Sequence, residues 1–109
     1  MKKNLRTSEL NDAYGQLLTE RQREIIKSYY DFDLSLAEIS ENYGITRQAV
    51  RDAIVKGEQQ LEAYEASLRV LEKREKALIF VALIKSCLNE EEYLKASEIL
   101  GELESIIQE

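Results

Sequence analysis

Thr46, Arg47, Gln48, Arg51 and Lys56 lie close together near the middle of the chain and have the residue types of a surface that reads duplex DNA. An arginine guanidinium matches the acceptor edge of guanine with two parallel hydrogen bonds, and a glutamine amide matches adenine. Arg47, Gln48 and Arg51 are therefore candidate base readers, with Thr46 and Lys56 as phosphate partners. Asp52 stands beside them and lowers the local positive field. Other chemistry is largely excluded. The 109 residues contain no histidine and a single cysteine, Cys87. No Ser-His-Asp triad, Cys-His dyad, disulfide framework or His-bearing metal site can be assembled from that inventory. Neither a Walker loop nor a GxGxxG turn is present, so no nucleotide or cofactor is expected, and no enzyme.

Other residue groups read more simply as structure. Glu90, Glu91 and Glu92 suggest a metal or acid–base cluster, but consecutive helical residues point in different directions, and carboxylates are favoured at a helix start. Cys87, with no second thiol and no base, reads as a small buried hydrophobe and fits a reducing compartment. The six tyrosines fall at helical spacing and read as core rather than as base-stacking platforms.

The elements that must position the candidate readers follow from periodicity and caps. No segment alternates with period 2, proline is absent, and glycine occurs four times, so the expected class is all-α. A first helix is expected over about Ser8–Leu18. Thr19 with Gln22 makes one capping box and opens a helix from Glu20 to about Tyr30; Ser35 with Glu38 makes another and opens Leu36–Tyr43. Gly44 supplies the left-handed residue that ends it, and Thr46 caps the next helix. Two helices joined so closely must cross steeply, which is the helix-turn-helix arrangement, with Ile39, Tyr43, Ile45, Val50 and Ala53 or Ile54 facing inward and Ser40 small at the approach. Its second helix presents its first residues to the major groove. Beyond it, Val50, Ile54, Gly57, Leu61, Tyr64, Leu68 and Leu71 recur at steps of 4, 3, 4, 3, 4 and 3, a heptad seam. A break is expected at residues 69–75, then a buried helix to about Leu88, then a last helix capped by Asn89 with Glu90–Glu92 in its first turn.

Charge divides the chain. The net charge is −6, yet residues 1–57 balance, with nine Lys/Arg against nine Asp/Glu, whereas 58–109 hold six against twelve. The expectation is one domain, 1–109, with a helix-turn-helix half, 1–57, and an acidic helical tail, 58–109, that forms a homodimer through the seam and the apolar last helix. The longest apolar run, Ala77 to Ile84, is far shorter than the ~20 residues of a membrane span, and the N-terminus lacks a signal-peptide core, so a cytoplasmic protein without membrane insertion is expected.

Residues 17–66, with "LTERQREII" followed by "SLAEISENYGITRQAVRDAI", resemble region 4 of sigma-70-type RNA polymerase factors. The whole layout, including the acidic tail, is similar to the YlxM family of small helix-turn-helix proteins. The resemblance implies an all-α, sigma-70 region 4-like helix-turn-helix followed by long helices in an extended helical bundle. It also implies a DNA-binding regulatory function linked to the signal recognition particle pathway. The alternative is a protein or RNA interaction module of that pathway, its acidic tail facing a basic partner. Two departures stand out: no polymerase-binding or promoter-melting region lies upstream, and the basic surplus usual in DNA-binding modules is missing.

Overall fold

The computed structural model describes residues 5–109, and every regular element among them is helical. The elements are α1 (Leu5–Tyr14), a 3-10 turn (Gly15–Leu17), α2 (Glu20–Tyr30), α3 (Leu36–Tyr43), α4 (Arg47–Leu68), α5 (Val70–Asn89) and α6 (Tyr93–Ile107). The chain forms two compact units, one ending at Leu68 and one running Arg69–Glu109.

Local chemistry sets most boundaries of the first unit. The Thr19 hydroxyl accepts from the Gln22 amide at 3.2 Å, the Gln22 side chain returns to the Thr19 N–H, and Ser35 and Glu38 do the same for α3. Each box satisfies backbone donors that a helix start leaves orphaned, and losing such a cap costs about 1 kcal/mol. At the end of α3, Gly44 takes φ +65°, and the Ile45 N–H closes back onto the Ser40 carbonyl at 3.1 Å. The Thr46 hydroxyl then accepts from the Ala49 N–H at 3.0 Å and opens α4. The first helix ends earlier than its periodicity predicts, because the chain tightens into the 3-10 turn at Gly15.

Ile25, Tyr29, Ile39, Val50 and Ile54 form the core of the helix-turn-helix, with Tyr43, Ile45 and Ala53 packed on its edge as expected. Leu10, Ile26 and Leu61 are also fully buried. This changes the meaning of the heptad seam. Val50, Ile54, Gly57 and Leu61 are buried inside the first unit, where α4 packs on α1, α2 and α3. The seam is an intramolecular core stripe, and its first four positions cannot meet a second copy. Gly57 makes room there for a side chain of α2: a Cβ on it would stand 2.4 Å from Ile26 Cδ1, which would have to shift.

α4 stops at Leu68 because Arg69 takes φ +53°, which a right-handed helix cannot absorb. The break thus falls at the first residue of the expected window. In the second unit α5 and α6 pack as a hairpin. The Arg69 guanidinium joins its two ends by a 3.3 Å bond to Glu109. Two expectations are corrected here. Asn89 is the last residue of α5 and does not cap α6, whose first turn contains no acidic residue. Glu90–Glu92 form the connection instead: Glu91 takes φ +59°, and the Glu92 N–H returns to the Cys87 carbonyl at 2.7 Å, a Schellman closure. Nor is α5 a buried helix: one stripe, Ala77, Phe80, Ile84 and Cys87, is half-buried or buried, whereas Leu78, Ile79, Val81, Leu83 and Leu88 are exposed, since one neighbouring helix covers only one stripe.

Candidate nucleic-acid interface

Thr46, Arg47, Gln48 and Arg51 stand together at the start of α4 or just before it, Lys56 stands farther along the helix, and all five are exposed. Their arrangement follows from the stripe opposite. With Val50, Ile54 and Gly57 buried, about 100° of rotation per residue turns Gln48, Arg51, Asp52 and Lys56 outward. Arg47 and Arg51 share one stripe; Gln48, Asp52 and Lys56 share the next. Lys56 lies about 13 Å along the axis from Arg47 at 1.5 Å per residue, beyond the first two turns. That separates it from the others and suits contact with a phosphate rather than a base. Thr46 has a structural task already, since its hydroxyl caps α4.

Two features of this surface become visible only with side chains in place. The Gln48 Nε2 donates to Asp52 Oδ1 at 2.8 Å. Asp52 therefore holds the amide that would read a base and leaves its carbonyl oxygen available as an acceptor. The i,i+4 spacing of the two residues was the available signal. The second feature is Arg21, from the first turn of α2. Its guanidinium lies 5.5 Å from the centre of the Tyr43 ring, at the last residue before the helix-turn-helix glycine. This adds an exposed cation beside the turn. No local pattern could indicate it, because the two residues are 22 positions apart.

The acidic residues that follow are partly committed inside the first unit. Glu58, Glu62 and Glu65 stand on one face of α4. The Tyr30 hydroxyl donates to Glu58, the Tyr14 hydroxyl donates to buried Glu65, and Arg6 grips Glu62 with two bonds of 2.8 and 3.1 Å. The Arg6 guanidinium holds the Glu62 carboxyl below the usual range. Burial, reinforced by Glu58, pushes the Tyr30 hydroxyl well above that of a free tyrosine. These three carboxylates of the acidic half tie α4 to α1 and α2, Glu65 from a buried position and Glu62 from a half-exposed one. Among the described residues no helix is long and apolar enough to cross a membrane.

A capped helix pair joined by a left-handed glycine, with an exposed Arg/Gln face, is what a helix-turn-helix protein presents, and sequence comparison agrees. The model of the UPF0122 family, described as "Putative helix-turn-helix protein, YlxM / p13 like", matches residues 1–100. A UPF0122 protein of Desulforamulus reducens is 51% identical over 73 residues, 67% of this chain and 62% of the relative, less than two thirds of its length. One from Shouchella clausii is 42% identical over 98 residues, 90% of each chain, and one from Bacillus mycoides is 43% identical over 94 residues, 86% of each. The chain therefore belongs to the UPF0122 family of YlxM/p13-like helix-turn-helix proteins.

Proposed function

We propose that this protein is a non-enzymatic DNA-binding regulator of the cytoplasm whose α4 enters the major groove of duplex DNA. The observation that carries the proposal is the outward face of α4: Arg47, Gln48 and Arg51 lie on its first two turns, opposite a stripe that is fully buried. A reading helix must be held rigidly from behind while its first turns stay free, and this one is. Arg47, Gln48 and Arg51 contact base edges; Thr46, Lys56 and Arg21 contact the backbone. The protein acts as a homodimer, so that two reading helices meet half-sites about 34 Å apart.

Selection from a random duplex library tests the proposal. An enriched motif is expected, and Arg51→Ala should weaken binding to it by about 1–3 kcal/mol and relax preference at one position. Absence of any enriched motif overturns the proposal. The shortage of basic residues favours one other reading: an interaction module of the signal recognition particle pathway that contacts protein or RNA. Capture of that particle's RNA or protein from cytosol, with no duplex motif selected, would establish it instead.

A further inference from the structure

The α5–α6 hairpin leaves a row of large apolar side chains exposed beside the stripe that it buries. Leu71, Cys87 and Ala96 are its buried side chains. Leu78, Val81 and Leu88 are 62, 38 and 50% exposed, and Tyr93, Leu100 and Ile107 are 62, 46 and 71% exposed. Helical periodicity puts the first three on one flank of α5 and the last three, spaced seven apart, on one flank of α6. Because the helices run antiparallel, their common handedness turns both flanks to the same side of the hairpin. The result is a continuous apolar face. A chain of roughly 40 residues rarely sustains a core alone, and an apolar helix flank left bare in water calls for a cover.

We propose that the cover is the same face of a second copy, the two hairpins forming a four-helix bundle. Charge argues for a second copy. α5 carries Lys73, Arg74, Lys76 and Lys85 against Glu72 and Glu75, whereas α6 carries Lys95 against Glu98, Glu102 and Glu104. A two-fold pair sets the basic α5 of each copy beside the acidic α6 of the other, a complementarity that one self-matching surface supplies twice. Within the face itself the charged residues are Arg74 and Lys85 on α5 and Glu104 on α6. Arg74 lies one turn from the start of α5 and Glu104 one turn from the end of α6, hence at one level of the hairpin. With the two-fold axis along the bundle, Arg74 of each copy faces Glu104 of the other.

The area suffices. At about 60–120 Å² per aliphatic side chain and about 200 Å² for tyrosine, the six exposed fractions give roughly 350 Å² of apolar surface. With an interface about 60% apolar, this corresponds to roughly 600 Å² per copy, above the ~1,000 Å² total that marks a specific contact. The role of the pair rests on the DNA reading proposed above; its existence is tested without DNA.

The test is sedimentation velocity and light scattering of the full chain over a concentration series. A dimer of twice 12.6 kDa is expected. Val81→Glu with Leu100→Glu should give a monomer whose circular dichroism keeps the wild-type helix content. Arg74→Glu and Glu104→Arg should each weaken association by about tenfold, and combining them should restore it, which a purely structural defect would not do. A monomeric wild type, a dimer unaffected by Val81→Glu/Leu100→Glu, or a charge swap that fails to recover overturns the proposal. Arg51→Ala separates the two ideas. If the DNA reading alone fails, the dimer persists and no duplex motif is selected. If the bundle alone fails, a single half-site is still bound.

Discussion

Replacing Lys56 with glutamine should lower the salt dependence of DNA binding by about one phosphate contact. A protein that neutralises phosphates releases counterions, and log affinity falls against log salt by about 0.9 per contact. Among the described residues, the exposed cations around the reading helix are Arg21, Arg47, Arg51 and Lys56. If Arg47 and Arg51 sit on base edges, the remaining two give a slope of about −1.8 for one chain on one half-site, and all four on phosphates give at most about −3.6. Raising salt fourfold, from about 50 to 200 mM, should therefore weaken binding by about 12-fold and no more than about 150-fold. Fluorescence anisotropy on the selected duplex, cut to one half-site, measures the slope. Lys56→Gln should reduce it by about 0.9 with no change in sequence preference, whereas Arg51→Ala should change preference more than slope. A slope much steeper than −3.6, or one that Lys56→Gln leaves untouched, would refute the assignment of these cations.

Other expected outcomes concern the scaffold. Tyr14→Phe removes a hydroxyl donor to a buried carboxylate and should cost about 1.5–3 kcal/mol in urea unfolding; a loss below ~0.5 kcal/mol would deny Glu65 its anchoring role. Gly44→Ala meets no neighbouring atom, so its cost should be the backbone strain alone, about 1–2 kcal/mol. Gly57→Ala drives a methyl toward Ile26 Cδ1, about 1–3 kcal/mol of overpacking set against ~1 kcal/mol of helix propensity. Ile26→Val removes that terminal methyl and should relieve the Gly57→Ala clash, and independent costs in a double-mutant cycle would contradict it. The pH dependence of stability has two limbs. Glu62 is held low by Arg6, so its contribution is complete above about pH 4.3 and fades as pH falls through the lowered value; the pair is exposed, and the effect is small. Tyr30 is pushed up, so its contribution is complete below about pH 10 and fades above it as the unfolded chain ionises. Glu62→Gln should flatten the acid limb and Tyr30→Phe the alkaline one, as followed by chemical denaturation across pH.

Much of this protein is legible in its sequence because the relevant physics is local. The Thr19 and Ser35 capping boxes, the left-handed Gly44 and the Thr46 cap each act across five residues or fewer. They determined α2, α3, the turn and the start of α4, and with them the position of the candidate readers. What faces what depended on packing. The same 4-3 repeat suits a coiled coil or an intramolecular core, and only the tertiary fold turned Val50, Ile54, Gly57 and Leu61 against α1–α3. Likewise, composition counts Glu58, Glu62 and Glu65 as acidic surface, but tyrosines and an arginine more than twenty residues away tie them to α1 and α2. Asn89 has the residue type of a cap, yet it is the last residue of α5, and the Schellman closure at Glu91 ends that helix just beyond it. Capping energies bind neighbours in sequence and can be read from it; burial binds neighbours in space, and the folded structure alone selects them.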